Sequence, residues 1–349
     1  MLIEETISKI GPRDKRSEDQ CRMRWDSIAK PLRSLGKLED GIVQIAGICG
    51  THQVSLDKKG VVICCADNGI VEEGVTQTGQ EVTAIVAENF LDGKTSVAIM
   101  AKSAGAELFP MDTGMVKDTR VERCKTAYGT KNFTKEPAMT REAAVAAVEA
   151  GIGKVKELKA QGYRILATGE MGIGNTTTSS AIASVFLDAA PETVTGKGAG
   201  LTSAGLEKKI QVIKDGIALH RPDPSDPIDV LAKVGGFDIA GLTGVFLGCA
   251  AERIPVVIDG FISGVAALTA VRLCPGVQEY LIASHVSNEP AGQMILDALG
   301  VSAFLTCNMC LGEGTGAVAL FPILDMALAV YDEMSTFDQI EIEAYQPLS

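Results

Sequence analysis

Short apolar runs alternate along the chain with longer stretches in which apolar residues recur about every 3.6 positions, and this predicts strands and helices in turn. Val61-Val62-Ile63-Cys64-Cys65-Ala66 is continuously apolar and stops at Asp67-Asn68-Gly69. A parallel strand buried on both faces reads this way, with a turn at its carboxyl end. Further strands are expected at 107–111, 163–168, 255–258, 279–283 and 301–305. Pro110 makes the second strand an edge or broken one, because proline has no N–H for the ladder. Helical spacing covers 138–158, 201–219, 239–249, 264–273, 293–299 and 317–334, with Pro322 a point of kinking in the last. The N-terminal segment is charged and helical in pattern, interrupted at Pro31.

Strand–helix alternation of this kind predicts an α/β fold, an open and mostly parallel sheet flanked by helices on both faces. Ligands of such sheets bind beyond the carboxyl ends of the strands. The terminal helices stand outside the alternation. They are expected to form a small helical lobe, 1–45 together with 318–349, beside a large α/β domain at 46–317 that carries the active site.

Composition narrows the partners. A formal net charge of −12 argues against nucleic acid or an anionic membrane. An anionic ligand must therefore be held locally, by helix N-termini, backbone amides and one or two lysines. The acidic start of the chain has no signal-peptide pattern, the apolar runs look too short or too glycine-broken to span a bilayer, and the nine cysteines are scattered. A cytoplasmic protein with reduced thiols is expected. Cys307-Asn308-Met309-Cys310 has CxxC spacing, but no second pair exists and His52, His220 and His285 are far apart in the chain. Buried or incidental thiols are expected there, and neither a metal nor a cofactor.

Chemistry concentrates in glycine-rich turns. Cys310-Leu311-Gly312-Glu313-Gly314-Thr315-Gly316 sets one carboxylate in a turn between an apolar run and a long apolar helix. Glycines there allow positive φ and close approach to a ligand, which suits Glu313 as a general base; a solvated Glu in a strand-to-helix turn is the bland alternative. Gly169-Glu170-Met171-Gly172-Ile173-Gly174-Asn175-Thr176-Thr177-Thr178 precedes a helical stretch at 179–187. It reads as a phosphate cradle of free N–H groups and hydroxyls, or simply as a capped helix start. It is neither a Walker loop nor a dinucleotide fingerprint. The loop around Gly196, Gly198 and Gly200 opens a helix carrying Lys208 and Lys209, which are phosphate partners or surface solubilisers. Asp67-Asn68-Gly69 with 72–76, and 284–290 around His285, complete the polar rims; for His285 a hydrogen-bonded structural role is expected. Two carboxylates, Glu170 and Glu313, with a phosphate cradle suggest chemistry at a sugar phosphate.

At this point the chain resembles the nicotinate-nucleotide–dimethylbenzimidazole phosphoribosyltransferases. The likeness is carried over nearly the whole length by Lys30-Pro31 with Ser34-Leu35-Gly36, Asp67-Asn68-Gly69, Glu73-Gly74-Val75-Thr76, Gln80-Glu81-Val82-Thr83, 169–177, Val234-Gly235-Gly236-Phe237, Asp259-Gly260-Phe261 and 311–316. The resemblance implies a Rossmann-like sheet, usually a homodimer, and a metal-free transfer of phosphoribosyl from nicotinate mononucleotide to an aromatic base with inversion at C1. It implies Glu313 as the base, Glu170 in the active site, and Gly172, Gly174, Asn175, Thr176, Gly198, Gly200, Lys209 and Gly312 around the nucleotide. Pro31, Thr76 and Leu311 match the family's acceptor slot. Many members carry His at Asn68, and some carry Ser at Thr76 and an acceptor-contacting Gln at Ala84. The resemblance thus implies the nucleotide donor and leaves the acceptor open among benzimidazoles, purines and phenols. A hydrolase of the same nucleotide and a non-catalytic nucleotide sensor are the competing readings.

Overall fold

The computed structural model describes residues 2–198 and 200–345. Six strands form one parallel sheet: β1 (Lys59–Ala66), β2 (Ala106–Gly114), β3 (Glu122–Arg123), β4 (Ile165–Met171), β5 (Val256–Ile258) and β6 (Leu281–Ala283), in the order β3-β2-β1-β4-β5-β6. The chain order reverses between β1 and β4, which opens a crevice at their carboxyl ends.

The continuous apolar run of β1 has a simple origin. Side chains alternate across a strand, so Val61, Ile63 and Cys65 join one hydrophobic cluster while Val62, Cys64 and Ala66 join the other. Both faces are covered, so both sets must be apolar. On one face the Phe237–Ala251 helix lies against the Arg141–Ala160 helix. Their backbones meet so closely that a Cβ on Gly244 would collide with the Val148 carbonyl. On the other face lie the Lys15–Ser27, Lys37–Cys49 and Thr315–Glu333 helices, whose Trp25, Ile42, Ile45, Phe321 and Leu324 share a cluster with Val61 and Ile63. Trp25 and Tyr331 join the two termini directly, with ring centroids 5.1 Å apart. Residues 346–349 of the expected C-terminal lobe lie outside the described residues.

Several expectations need correction. The 301–305 run is not a strand; Phe304 donates its N–H to the Ala283 carbonyl and Leu305 forms an isolated bridge with His285, but no ladder follows. Its residues are half-buried or exposed, so no second face rewards extension of the ladder. The sixth strand is β3, two exposed charged residues without a hydrophobic signal. β2 runs unbroken through Pro110, which β1 pairs on one side and β3, reaching only Met111 and Asp112, leaves open on the other. The strand expected at 279–283 is β6 and starts only at Leu281, because 275–280 form a 3₁₀ turn. Lastly, the Thr315–Glu333 helix is long and apolar enough to cross a membrane by length and composition; half of that window is buried inside the domain, against the sheet.

Candidate active site

The carboxyl ends of β4, β5 and β6 open onto a cavity of about 290 Å³. β4 and its following loop contribute Glu170, Gly172, Asn175 and Thr176; the turn after β5 contributes Asp259; the rim after β6 contributes His285 and Glu289; and the turn before the last long helix contributes Leu311, Gly312 and Glu313. A wider cleft of about 510 Å³ lies along the outer edge of β6, near Arg13, Lys37 and Glu279, and contains none of these turns.

Gly312, Glu313 and Gly314 have φ of +84°, +62° and +96°. Glycine takes these angles freely, whereas a Glu held there stores on the order of 1 kcal/mol, so the surroundings must fix it. They do so from two sides. The turn lies on β4 so tightly that a Cβ on Gly169 would collide with the Glu313 carbonyl. From β5, Asp259 Oδ2 accepts the Gly314 N–H at 3.0 Å, and its Oδ1 accepts those of Gly316 and Ala317 at 2.7 and 3.1 Å. Burial raises the Glu313 carboxyl above the usual carboxylate range; the Val97 amide opposes this and the Asp259 charge adds to it. Glu313 Oε2 is buried without a hydrogen-bond partner. A carboxyl of raised proton affinity, with an unused oxygen and in a cavity wall, is suited to take a proton.

Glu170 stands differently from the sequence reading. It belongs to β4, opposite Cys64 of β1, rather than to a glycine turn. Asn175 donates its side-chain amide both to Glu170 Oε2 and, at 3.0 Å, to Asp238 Oδ2. Burial above all, then the charges of Asp238 and Asp259, push the Glu170 carboxyl well up; burial likewise raises Asp238 to about 6. Buried like charges cannot all ionise cheaply, so this group favours holding a proton.

Gly174, with φ +95°, opens the Asn175–Leu187 helix, which therefore starts four residues before the stretch expected at 179–187. Thr176 and Gly198 line the cavity. Gly200 does not line it, and its carbonyl accepts the Gln77 side-chain amide. Lys209 is no surface solubiliser: it is 1% exposed, and its Nζ donates to Thr176 Oγ1 at 2.8 Å and to the Gly196 carbonyl at 3.1 Å. Burial lowers its pKa to about 8, and the nearby Glu289 works against that. A buried ammonium on a hydroxyl in the first turn of a helix is a poised anion partner.

Of the three residues matched to an acceptor slot, Leu311 lines the cavity, while Pro31 and Thr76 do not. Pro31 is exposed beside the buried Lys30–Glu39 pair, and the Thr76 hydroxyl donates to the Thr78 carbonyl at 2.8 Å. His285 is buried, with Nδ1 3.1 Å from Ser284 Oγ, but it also faces the cavity. Sequence reasoning gave no role to Asp238, Asp259 or Glu289. Asp259 had a signal, since it directly follows the apolar β5 run, as Asp67 follows β1. Asp238 had none, because only packing of its helix start buries it against Asn175. Cys307 and Cys310 are free and exposed, and Cys310 reaches the cavity mouth.

A family model described as phosphoribosyltransferase matches residues 10–342. The chain is 48% identical to the nicotinate-nucleotide–dimethylbenzimidazole phosphoribosyltransferase of Acetivibrio thermocellus over 349 residues, covering 99% of both chains. It is also 48% identical to the protein of that name from Ruminiclostridium cellulolyticum over 351 residues, covering all of both. Among solved structures it is similar to CobT from Thermus thermophilus, with a TM-score of 0.89, 36% identity, and 95% of this chain and all of that one covered.

Proposed function

The chain belongs to the nicotinate-nucleotide–dimethylbenzimidazole phosphoribosyltransferase family, and from that premise we propose how its site carries the reaction. The enzyme moves the phosphoribosyl group of nicotinate mononucleotide to 5,6-dimethylbenzimidazole, for assembly of the lower ligand of cobamides. Nicotinate leaves C1 of the ribose, a ring nitrogen of the acceptor bonds to C1 from the opposite face, and the nitrogen's proton must go to a base. The products are α-ribazole 5′-phosphate and nicotinate. A quaternary ring nitrogen makes nicotinate a good leaving group, so the work of the protein is positioning and proton transfer.

The observation that carries this reading is one cavity that holds both halves of the chemistry, Glu313 in its left-handed turn and Thr176 backed by Lys209. In our reading Glu313 takes the acceptor proton. Glu170, held with Asn175 and Asp238, supplies a protonated hydrogen-bonding wall beneath it. Gly172, Gly174, Asn175, Thr176, Gly198 and Lys209 receive the phosphate end, Gly200 and Gly312 shape the loops, and Leu311 offers an apolar surface to the acceptor ring. Pro31 and Thr76 would join that slot only through movement of their segments. A homodimer in the cytoplasm completes the reading: Ile85, Leu91 and Ile99 are exposed on two consecutive helices and would give a second copy an apolar surface to cover.

Incubation with nicotinate mononucleotide and a pool of benzimidazoles, purines and phenols, followed by mass spectrometry, tests the reading. One preferred α-linked riboside phosphate is expected. Free ribose phosphate without a base-linked product would show a hydrolase, and intact nucleotide a sensor.

A further inference from the structure

The turn that carries Glu313 owes its shape to a residue outside it. Asp259 is 2% exposed, and the three N–H groups it accepts belong to Gly314 and to the first turn of the Thr315–Glu333 helix. Helix-start amides have no partner within the helix, and a carboxylate satisfies them with charge-assisted bonds. Asp259 is itself fixed, since its N–H donates to Ser263 Oγ at 3.2 Å and its carbonyl accepts from Ser284 Oγ at 3.0 Å. Ser284 leads into His285, whose ring occupies the space that a side chain on Gly316 would need; Asp259 Oδ1 lies 2.9 Å from that same point. Burial raises the Asp259 carboxyl, while His285 and the three amides pull it down.

We propose that Asp259 is the positioning residue of this reaction: with the His285 ring packed against Gly316, it sets the left-handed turn at 312–314 so that Glu313 faces the acceptor. The proposal rests on Glu313 being the base. It has an electrostatic consequence, because the Asp259 charge raises the proton affinity of Glu313. The other titratable groups lining the cavity with Glu313 are Glu170, His285, Glu289 and Cys310.

The test compares Asp259→Asn, Gly316→Ala and Glu313→Gln with the parent enzyme, each checked for folding by thermal melting, in nucleotide binding, kcat, KM and pH dependence. Asp259→Asn should lose ~10²-fold in kcat, the scale of a small misplacement of a reacting group, and keep its binding constant for nicotinate mononucleotide. The acid limb of its kcat/KM profile should move to lower pH, since a neighbouring negative charge is gone. Gly316→Ala should lower kcat without weakening nucleotide binding, by displacing the His285 ring. An Asp259→Asn enzyme with full kcat overturns the proposal. So does one that loses kcat and nucleotide binding together with an unmoved acid limb, the mark of a merely structural residue. Full turnover in Glu313→Gln would instead remove the base reading itself, whatever Asp259→Asn does.

Discussion

Gly312 lies directly over Glu170, and a Cβ on Gly312 would collide with Glu170 Oε1. The absent side chain is what lets the Glu313 turn settle on β4 and bring the two carboxylates into one cavity wall. Gly312→Ala meets both that collision and a φ of +84°. It should destabilise the fold by about 1–3 kcal/mol and remove most turnover. Urea melts and steady-state assays check this, and a variant with parent-like values in both would show that the turn relaxes freely.

Glu313→Gln keeps the size of the side chain and removes the proposed base. Turnover should fall ~10²- to 10⁴-fold, with nicotinate mononucleotide bound as before. Binding by calorimetry beside single-turnover rates separates the two effects. Unchanged turnover would take Glu313 out of that role.

Lys209 changes charge within reach of ordinary assays, since burial lowers its pKa to about 8. Only the charged form attracts phosphate. In the free enzyme, affinity for nicotinate mononucleotide should therefore fall as pH rises through that value, by about tenfold per unit above it at the limit. Titration calorimetry near pH 7 and near pH 9 measures the change. Lys209→Ala should weaken the nucleotide more than the aromatic acceptor and abolish this pH dependence; a parent enzyme with equal affinity at both pH values would exclude Lys209 from phosphate binding.

Asp238 predicts a stability signature. Its folded pKa is raised from 3.8 to about 6, so between those values the folded protein holds a proton that the unfolded chain has lost. Stability from this group is therefore greatest below about pH 4, declines as pH rises to about 6, and is level beyond. Asp238→Asn has no such proton. Over that window the stability of the variant relative to the parent should rise, as read from urea midpoints at several pH values. A constant difference would mean that Asp238 titrates normally.

Most of the sheet and several of the turns that line the cavity were legible in the order of residues. The apolar run at 61–66 could only be a doubly buried strand, and Gly312-Glu313-Gly314 could only be a turn, because glycine pairs permit backbone angles that other residues avoid. These are local properties, written in period and composition. The strand wrongly expected at 301–305 and the unforeseen β3 depend on which edges remain open after the others have paired.

How the turns act was settled by packing. Lys209 has the same local pattern as a surface lysine and is buried because its helix lies across the glycine loop. Glu170 becomes a proton-holding group through burial and then through Asp238, which is 68 residues away in the chain and near only after packing. Asp259 reaches the Glu313 turn across 54 residues because β5 ends beneath it. Burial and long-range charge set proton affinity, and neither has a signature in the local order of residues.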